Sequence, residues 1–375
     1  ISKKIAPWFA VAYLVALYLS IGPFFAIPRT ATTAFSVGIE PMLPAGSHTI
    51  WLFAFTLVYF AFAYLIALNP SKILDSIGRY LTPIFALLIV VLVVLGAAKY
   101  GSTAPQGATA EYTASAFGAG FLQGYNTLDA LASVAFSVVA VTTLNQLGFK
   151  NKKEYISTIW VVGILVALGF SVLYIGLAFL GNHFPLNLAN LPKGANVGAS
   201  VLSSSTQAIF GPMAQIFLAI MVTVTCFTTT AGLIVSTGEF FHNTFSKVSY
   251  KVYATIFTLV GFAIANLGLN AIIQYSVPAL EILYPITITI VMIVMVNRFL
   301  PLSKPGMQLT IAVVTLIAFA SILGRQFKLT AILNLVNALP FAQASLPWLL
   351  PALVGILLSL LLPNKQKSDA FEFEA

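Results

Sequence analysis

Charge is what this chain has least of. Charged residues make up 7% of its 375 positions, where soluble domains carry roughly 25%. With 59% of the residues apolar, that shortage excludes an ordinary soluble domain and puts the chain in lipid. The one cysteine, Cys226, excludes an intramolecular disulfide and a multi-thiolate metal site. Histidine occurs only at 48, 183 and 242, and aspartate only at 75, 129 and 369. No two histidines are helix neighbours, no acidic pair sits at metal-ligand spacing, and no Walker or Gly-rich phosphate loop occurs. Catalysis is therefore not expected, no organic cofactor is implied, and an ATP-driven pump is excluded for this chain alone. A channel is disfavoured because the chain shows neither a filter sequence nor a ring-forming charged segment.

The net charge of +8 does not point to nucleic acid, because the basic residues fall in short clusters between apolar runs. Ten such runs can be drawn: 6–27, 49–68, 80–98, 117–147, 155–180, 211–240, 252–269, 273–296, 309–323 and 346–362. With the N-terminus in the cytoplasm, 13 of the 18 Lys and Arg residues lie on the inner side, and Arg29, Lys99, Lys193, Arg325 and Lys328 on the outer. That asymmetry places both ends inside, and removing or adding one span would mix the clusters.

The fourth run, FGAGFLQGYNTLDALASVAFSVVAVTTLNQL, carries Gln123, Asn126 and Asp129. As one helix it would reach roughly 46 Å, against a hydrocarbon core of roughly 30 Å. Two readings compete: a helix interrupted at Ser133, Val134, Ala135, Phe136 and Ser137, exposing backbone groups at mid-depth, or an unbroken span preceded by a surface helix. In GPFFAIPRTATTAF, Pro23 and Pro28 predict a kinked or ending helix, and Arg29 reads as a side chain that snorkels to water beside it. Residues 69–83 read as a short helix on the inner surface, with Lys72, Asp75 and Arg79 on one face. The segment 181–212 has a helical second half and is either a lid or a tether. In TVTCFTTTAGL, Thr225, Thr228 and Thr229 share a helix face. Their oxygens suit a small hard cation, and they equally suit packing between helices. Pro278 and Pro285 predict a bend with Glu281 on it, and an ionisable residue inside a span is a functional candidate.

The segments YLSIGPFFAIPRTATTAF (18–35), GYNTLDALASVAFSVVAV (124–141), CFTTTAGL (226–233), EFF (239–241) and NLGLNAIIQYSVPALEILYP (266–285) resemble the branched-chain amino acid:cation symporters of the BrnQ type (LIVCS family). The likeness runs over essentially the whole chain. It implies an all-α polytopic membrane protein with a LeuT/APC-type inverted-repeat fold. About ten of the family's twelve helices would be present, the first two lacking: 1–116 as the remainder of the first repeat, 117–300 as the second, and 301–375 as two C-terminal helices and a tail. It implies leucine, isoleucine and valine as substrates, with Na⁺ as coupling ion and H⁺ as the alternative. The setting would be a bacterial-type plasma membrane, with lipid around the helices and neither nucleic acid nor an obligate protein partner. The resemblance assigns Ser133 to Ser137, with Gly22 and Pro23, to the substrate. Thr228, Thr229 and Thr230 go to the cation with Thr229 foremost, and Arg29, Asp129 and Glu281 take gate or structural ion-pair roles.

Overall fold

In the computed structural model, which describes residues 6–44, 48–68, 72–146, 149, 152–187, 191, 194–363 and 365–366, helices account for nearly all of the chain. In order they are α1 (Pro7–Leu19), α2 (Ala26–Ala34), α3 (His48–Leu68), α4 (Lys72–Tyr100), α5 (Ala110–Ala114), α6 (Ala116–Asn126), α7 (Asp129–Gln146), α8 (Lys152–His183) and α9 (Val197–Phe210). There follow α10 (Met213–Thr244), α11 (Tyr250–Ala265), α12 (Leu269–Phe299), α13 (Lys304–Gln326), α14 (Thr330–Asn337) and α15 (Leu349–Leu361). Among the described residues, seven runs are long and apolar enough to cross a membrane, and α11 and α15 are shorter apolar helices. With the α6–α7 pair, these stand where the ten apolar segments were drawn. The protein is all-α and polytopic.

Two expectations are corrected. Residues 133–137 lie inside the regular helix α7, so the interruption expected there is absent. The separate surface helix expected over 69–83 is also absent as such: α4 runs from Lys72 through Pro83 to Tyr100 as one helix, while Asn69 and Pro70 lie outside the described residues. The helical second half expected in 181–212 is present as α9.

The chain divides into two units. One comprises Ile1–Ser20, Ala108–Lys150 and Tyr275–Ala375. Its core joins α12, α13 and α15 through Ile293, Leu302, Met307, Ile311 and Ile356. The Tyr13 hydroxyl ties α1 to Thr287 of α12 at 2.8 Å. A short antiparallel bridge pairs Leu302 with Gln366 and Ser303 with Lys365. It brings the α12–α13 connection and the C-terminal segment to the same end of this unit, as two intervening spans require.

The other unit comprises Ile21–Gly107 and Asn151–Gln274. Its helix α8 presents Trp160, Leu165, Leu168 and Ile175 outward, each more than half exposed, as a lipid-facing helix should. α8 meets α4 where Gly96 lies under Leu180: a Cβ on Gly96 would come within 2.6 Å of that side chain. Small residues let membrane helices approach this closely.

After α2 the chain passes through a wide turn at Phe35–Ile39, where the ordinary i to i−4 ladder is not kept. Gln215 of α10, itself buried, compensates. Its Nε2 donates to the carbonyls of Val37 (2.9 Å) and Gly38 (3.1 Å), and its Oε1 accepts from Ser203 Oγ at 2.7 Å. Removing the amide strands two buried carbonyls, at about 1 to 3 kcal/mol for each group left unsatisfied. Gln215→Leu is therefore expected to lower the thermal midpoint of the detergent-purified protein, and Gln215→Glu to do no better because it lacks the donors. A Gln215→Leu protein melting with the parent would deny the side chain this role.

Candidate functional site

The run Pro7–Met42 is broken near its middle. Gly22 has φ −85° and ψ −122°, outside the helical region, and the following Pro23 has no N–H to donate. Regular helix resumes at Ala26. Gly22 and Pro23 are both buried, so the broken stretch lies within the protein, where irregular backbone at membrane depth can be tolerated. Thr237 of α10 packs against it. A Cβ on Gly22 would lie 2.9 Å from both Cγ2 and Oγ1 of Thr237. That threonine is fully buried and its Oγ1 has no hydrogen-bond partner.

One turn further along α2, three hydroxyls from three helices meet. Thr30 Oγ1 donates to the Ile27 carbonyl at 2.7 Å and touches Thr230 Oγ1 at 2.5 Å. Thr230 also faces the Tyr59 hydroxyl at 2.8 Å and the Cys226 carbonyl at 3.0 Å. Three hydroxyls supply three protons to four contacts. With Thr30 and Thr230 donating to the two carbonyls and Tyr59 to Thr230, the close Thr30–Thr230 contact is left without a proton, and the group is rich in acceptor oxygen. Thr230 is fully buried in it.

Thr228 and Thr229 point elsewhere, because successive helix residues are about 100° apart. Their hydroxyls both donate to the Thr225 carbonyl, at 2.9 and 3.0 Å. Thr228 is half-buried and Thr229 exposed. A hydroxyl whose proton is bound to its own helix turns its lone pairs outward as acceptors.

In the other unit the helix break lies at Thr127–Leu128, between α6 and α7. Leu128 takes φ +66°, an uncommon conformation for a residue with a Cβ, and is held there by burial at 5% exposure. Thr127 Oγ1 caps the Gly124 carbonyl at 2.8 Å. Beyond the break, the polar atoms of the 133–137 stretch serve their own helix: Ser133 Oγ donates to the Ala130 carbonyl and Ser137 Oγ to that of Val134, at 2.8 and 2.7 Å. Ala135 is buried and its carbonyl receives the Tyr18 hydroxyl at 3.4 Å. Val134 and Phe136 are half-buried. What is seen is thus the competing arrangement, a separate helix ahead of an unbroken one.

Asp129 opens α7, a position where the helix dipole favours a carboxylate. Arg29 is half-buried within α2. Glu281 of α12 forms an ion pair with Arg325 of α13, reinforced by a contact of 3.3 Å between Arg325 Nη1 and Glu281 Oε1. Among the described residues, no group of three or more His, Cys, Asp or Glu could hold a metal ion.

Sequence reasoning missed Thr30, Tyr59, Thr237 and Arg325 as partners. A signal existed for the last, since Glu281 and Arg325 carry opposite charge near the same ends of consecutive spans. It existed also for the true break, because Thr127 and Asp129 form a helix-start pattern. Nothing local marks Tyr59 or Thr237.

A family described as "Branched-chain amino acid transport protein" matches residues 1–366. A Staphylococcus haemolyticus (strain JCSC1435) protein named "Putative branched-chain amino acid carrier protein" is 36% identical over 379 residues, covering 99% of this chain and 84% of its own length. Likenamed proteins of Staphylococcus aureus strains USA300 and NCTC 8325 match to the same extent. No solved structure matches the chain.

The contact of Gly22 with Thr237 generates a test. Gly22→Ala forces a methyl into space already filled, which costs about 1 to 3 kcal/mol. Adding Thr237→Ala should recover part of that loss. Melting curves of the two single variants and the double are expected to show non-additivity, and strictly additive losses would separate the two positions.

Proposed function

The chain belongs to the branched-chain amino acid transport protein family, and on that premise we propose that it imports leucine, isoleucine and valine by sodium symport with alternating access. The observation that carries the reading is the chain-long match to a transport family, joined to a buried helix break beside hydroxyl-rich α10. Secondary transporters bind substrate where helices are interrupted, because freed amides and carbonyls there take up charge at mid-membrane.

In this reading Thr228 and Thr229 present lone pairs to Na⁺, since both hydroxyl protons are committed to the Thr225 carbonyl. Thr230 anchors the cation helix through Thr30 and Tyr59. Gly22 and Pro23 supply irregular backbone on the substrate side, and the family resemblance assigns residues 133–137 to the substrate as well. Arg29 and Asp129 act as gate or structural charges. The branched side chain needs only an apolar pocket, which rejects polar side chains by leaving them unpaired. Coupling to H⁺ in place of Na⁺ is the second reading, and a setting in the plasma membrane with both ends inside follows the distribution of Lys and Arg.

Uptake of labelled leucine into proteoliposomes, with and without an inward sodium gradient, tests the coupling. Stimulation by the gradient is expected. Equal uptake in both, with stimulation by a proton gradient, would replace Na⁺ by H⁺. Thr229→Ala is expected to raise the sodium concentration needed for half-maximal uptake while leaving the melting curve near that of the parent. A sodium response matching the parent would remove Thr229 from the site.

A further inference from the structure

The unit that contains α6, α12, α13 and α14 encloses two adjoining cavities of about 130 and 430 Å³. They share Leu122, Tyr125, Glu281, Arg325 and Ser345 in their walls. A water's share of liquid volume is about 30 Å³, so the space admits a small solute. We propose that it is an amino-acid site additional to the substrate and cation residues named above, binding the zwitterionic head of a free α-amino acid between Arg325 and Glu281. The choice of leucine as the occupant rests on the transport reading.

Glu281 is 11% exposed and Arg325 52%, so the carboxylate sits deep and the guanidinium stands at the mouth. An incoming zwitterion would exchange one ion pair for two, its carboxylate on Arg325 and its ammonium on Glu281. Every charge stays compensated through that exchange, which a simple cation or anion could not achieve without leaving one partner bare. Pro285, also in the wall, has no N–H for the carbonyl of Glu281, and so leaves a further acceptor beside the carboxylate.

Two donors in the wall lack a well-formed hydrogen bond. Tyr125 and Trp348 are 4% and 3% exposed. The Trp348 indole interacts with the Tyr125 hydroxyl, in a geometry that falls short of a complete hydrogen bond for either group. Incompletely bonded buried donors are costly, and a bound carboxylate would accept from both once the rings shift to bring them to the cavity. Tyr125 also stacks on Tyr284 with ring centroids 4.3 Å apart. Ile317, Leu333 and Val336 supply apolar wall for a branched side chain. A plain structural ion pair accounts for Glu281 and Arg325, but for neither the cavity nor the two incompletely bonded donors.

The test is the stoichiometry of labelled leucine bound to the purified full chain in lipid nanodiscs, beside uptake by the same preparation. Two leucines per parent chain are expected, and one in the double variant Glu281→Gln with Arg325→Gln, whose neutral amides keep the shape of the pair. Leucinamide and 4-methylpentanoate, each lacking half of the zwitterion, should fail to displace the second leucine. Should the double variant not fold, Tyr125→Phe removes one hydroxyl and is expected to weaken the second site about tenfold, the loss of one hydrogen bond to a charged group. A parent that transports leucine but binds only one per chain overturns this site and leaves the transport reading standing, as does a Tyr125→Phe protein with two unchanged affinities. A parent that neither binds nor transports leucine overturns both.

Discussion

Every buried peptide group in this protein must find a partner without the help of water, because in hydrocarbon an unpaired N–H or C=O costs several kcal/mol. Unbroken helix satisfies the rule automatically, so the informative places are those where the helix gives way. At Phe35–Ile39 a glutamine from α10 supplies the missing donors. At Thr127–Leu128 the threonine side chain caps a carbonyl and a buried leucine holds the left-handed turn. At Gly22 the neighbouring Thr237 hydroxyl itself goes unpaired. Two of the three breaks are thus locally completed, and the third retains an idle polar group, which is why attention falls on it as a place for a ligand.

The hydroxyls of α10 follow the same rule from the other side. Thr228 and Thr229 give their protons to one carbonyl of their own helix, whereas Thr230 joins neighbouring helices through Thr30 and Tyr59. A run of three threonines therefore divides into two outward acceptors and one inter-helix tie. Residue type alone does not separate these functions; the turn of the helix does.

Hydropathy made the spans legible because a bilayer imposes a minimum apolar length on each, and all ten segments correspond to helices in the structure. The break in the fourth segment was legible as an excess of length but not in position. Ser133 and Ser137 drew attention as polar residues in an apolar run, yet their hydroxyls return to the preceding turn and need no gap in the helix. Thr127 and Asp129 are the residues that mark the helix start. Within each unit, what could not be read were pairings at long separation, such as Thr30 with Thr230, Glu281 with Arg325 and Gln215 with Val37. No local pattern encodes which helix faces which, so those contacts belong to the tertiary structure alone.

Helix α8 carries a consequence of its own. At 32 residues it would measure about 48 Å, well beyond the hydrocarbon thickness of an average bilayer, so it must lean or project. Its inner seam is pinned to α4 by the close approach at Gly96, its C-terminal end packs near Val201, Leu202 and Ile209 of α9, and much of its remaining apolar surface is exposed. A host membrane of different thickness would alter that lean and pass the change to α4 through the seam. Lipid chain length is accordingly a mechanical input to this protein, and short-chain detergents deprive it of the lateral support this long helix was shaped for.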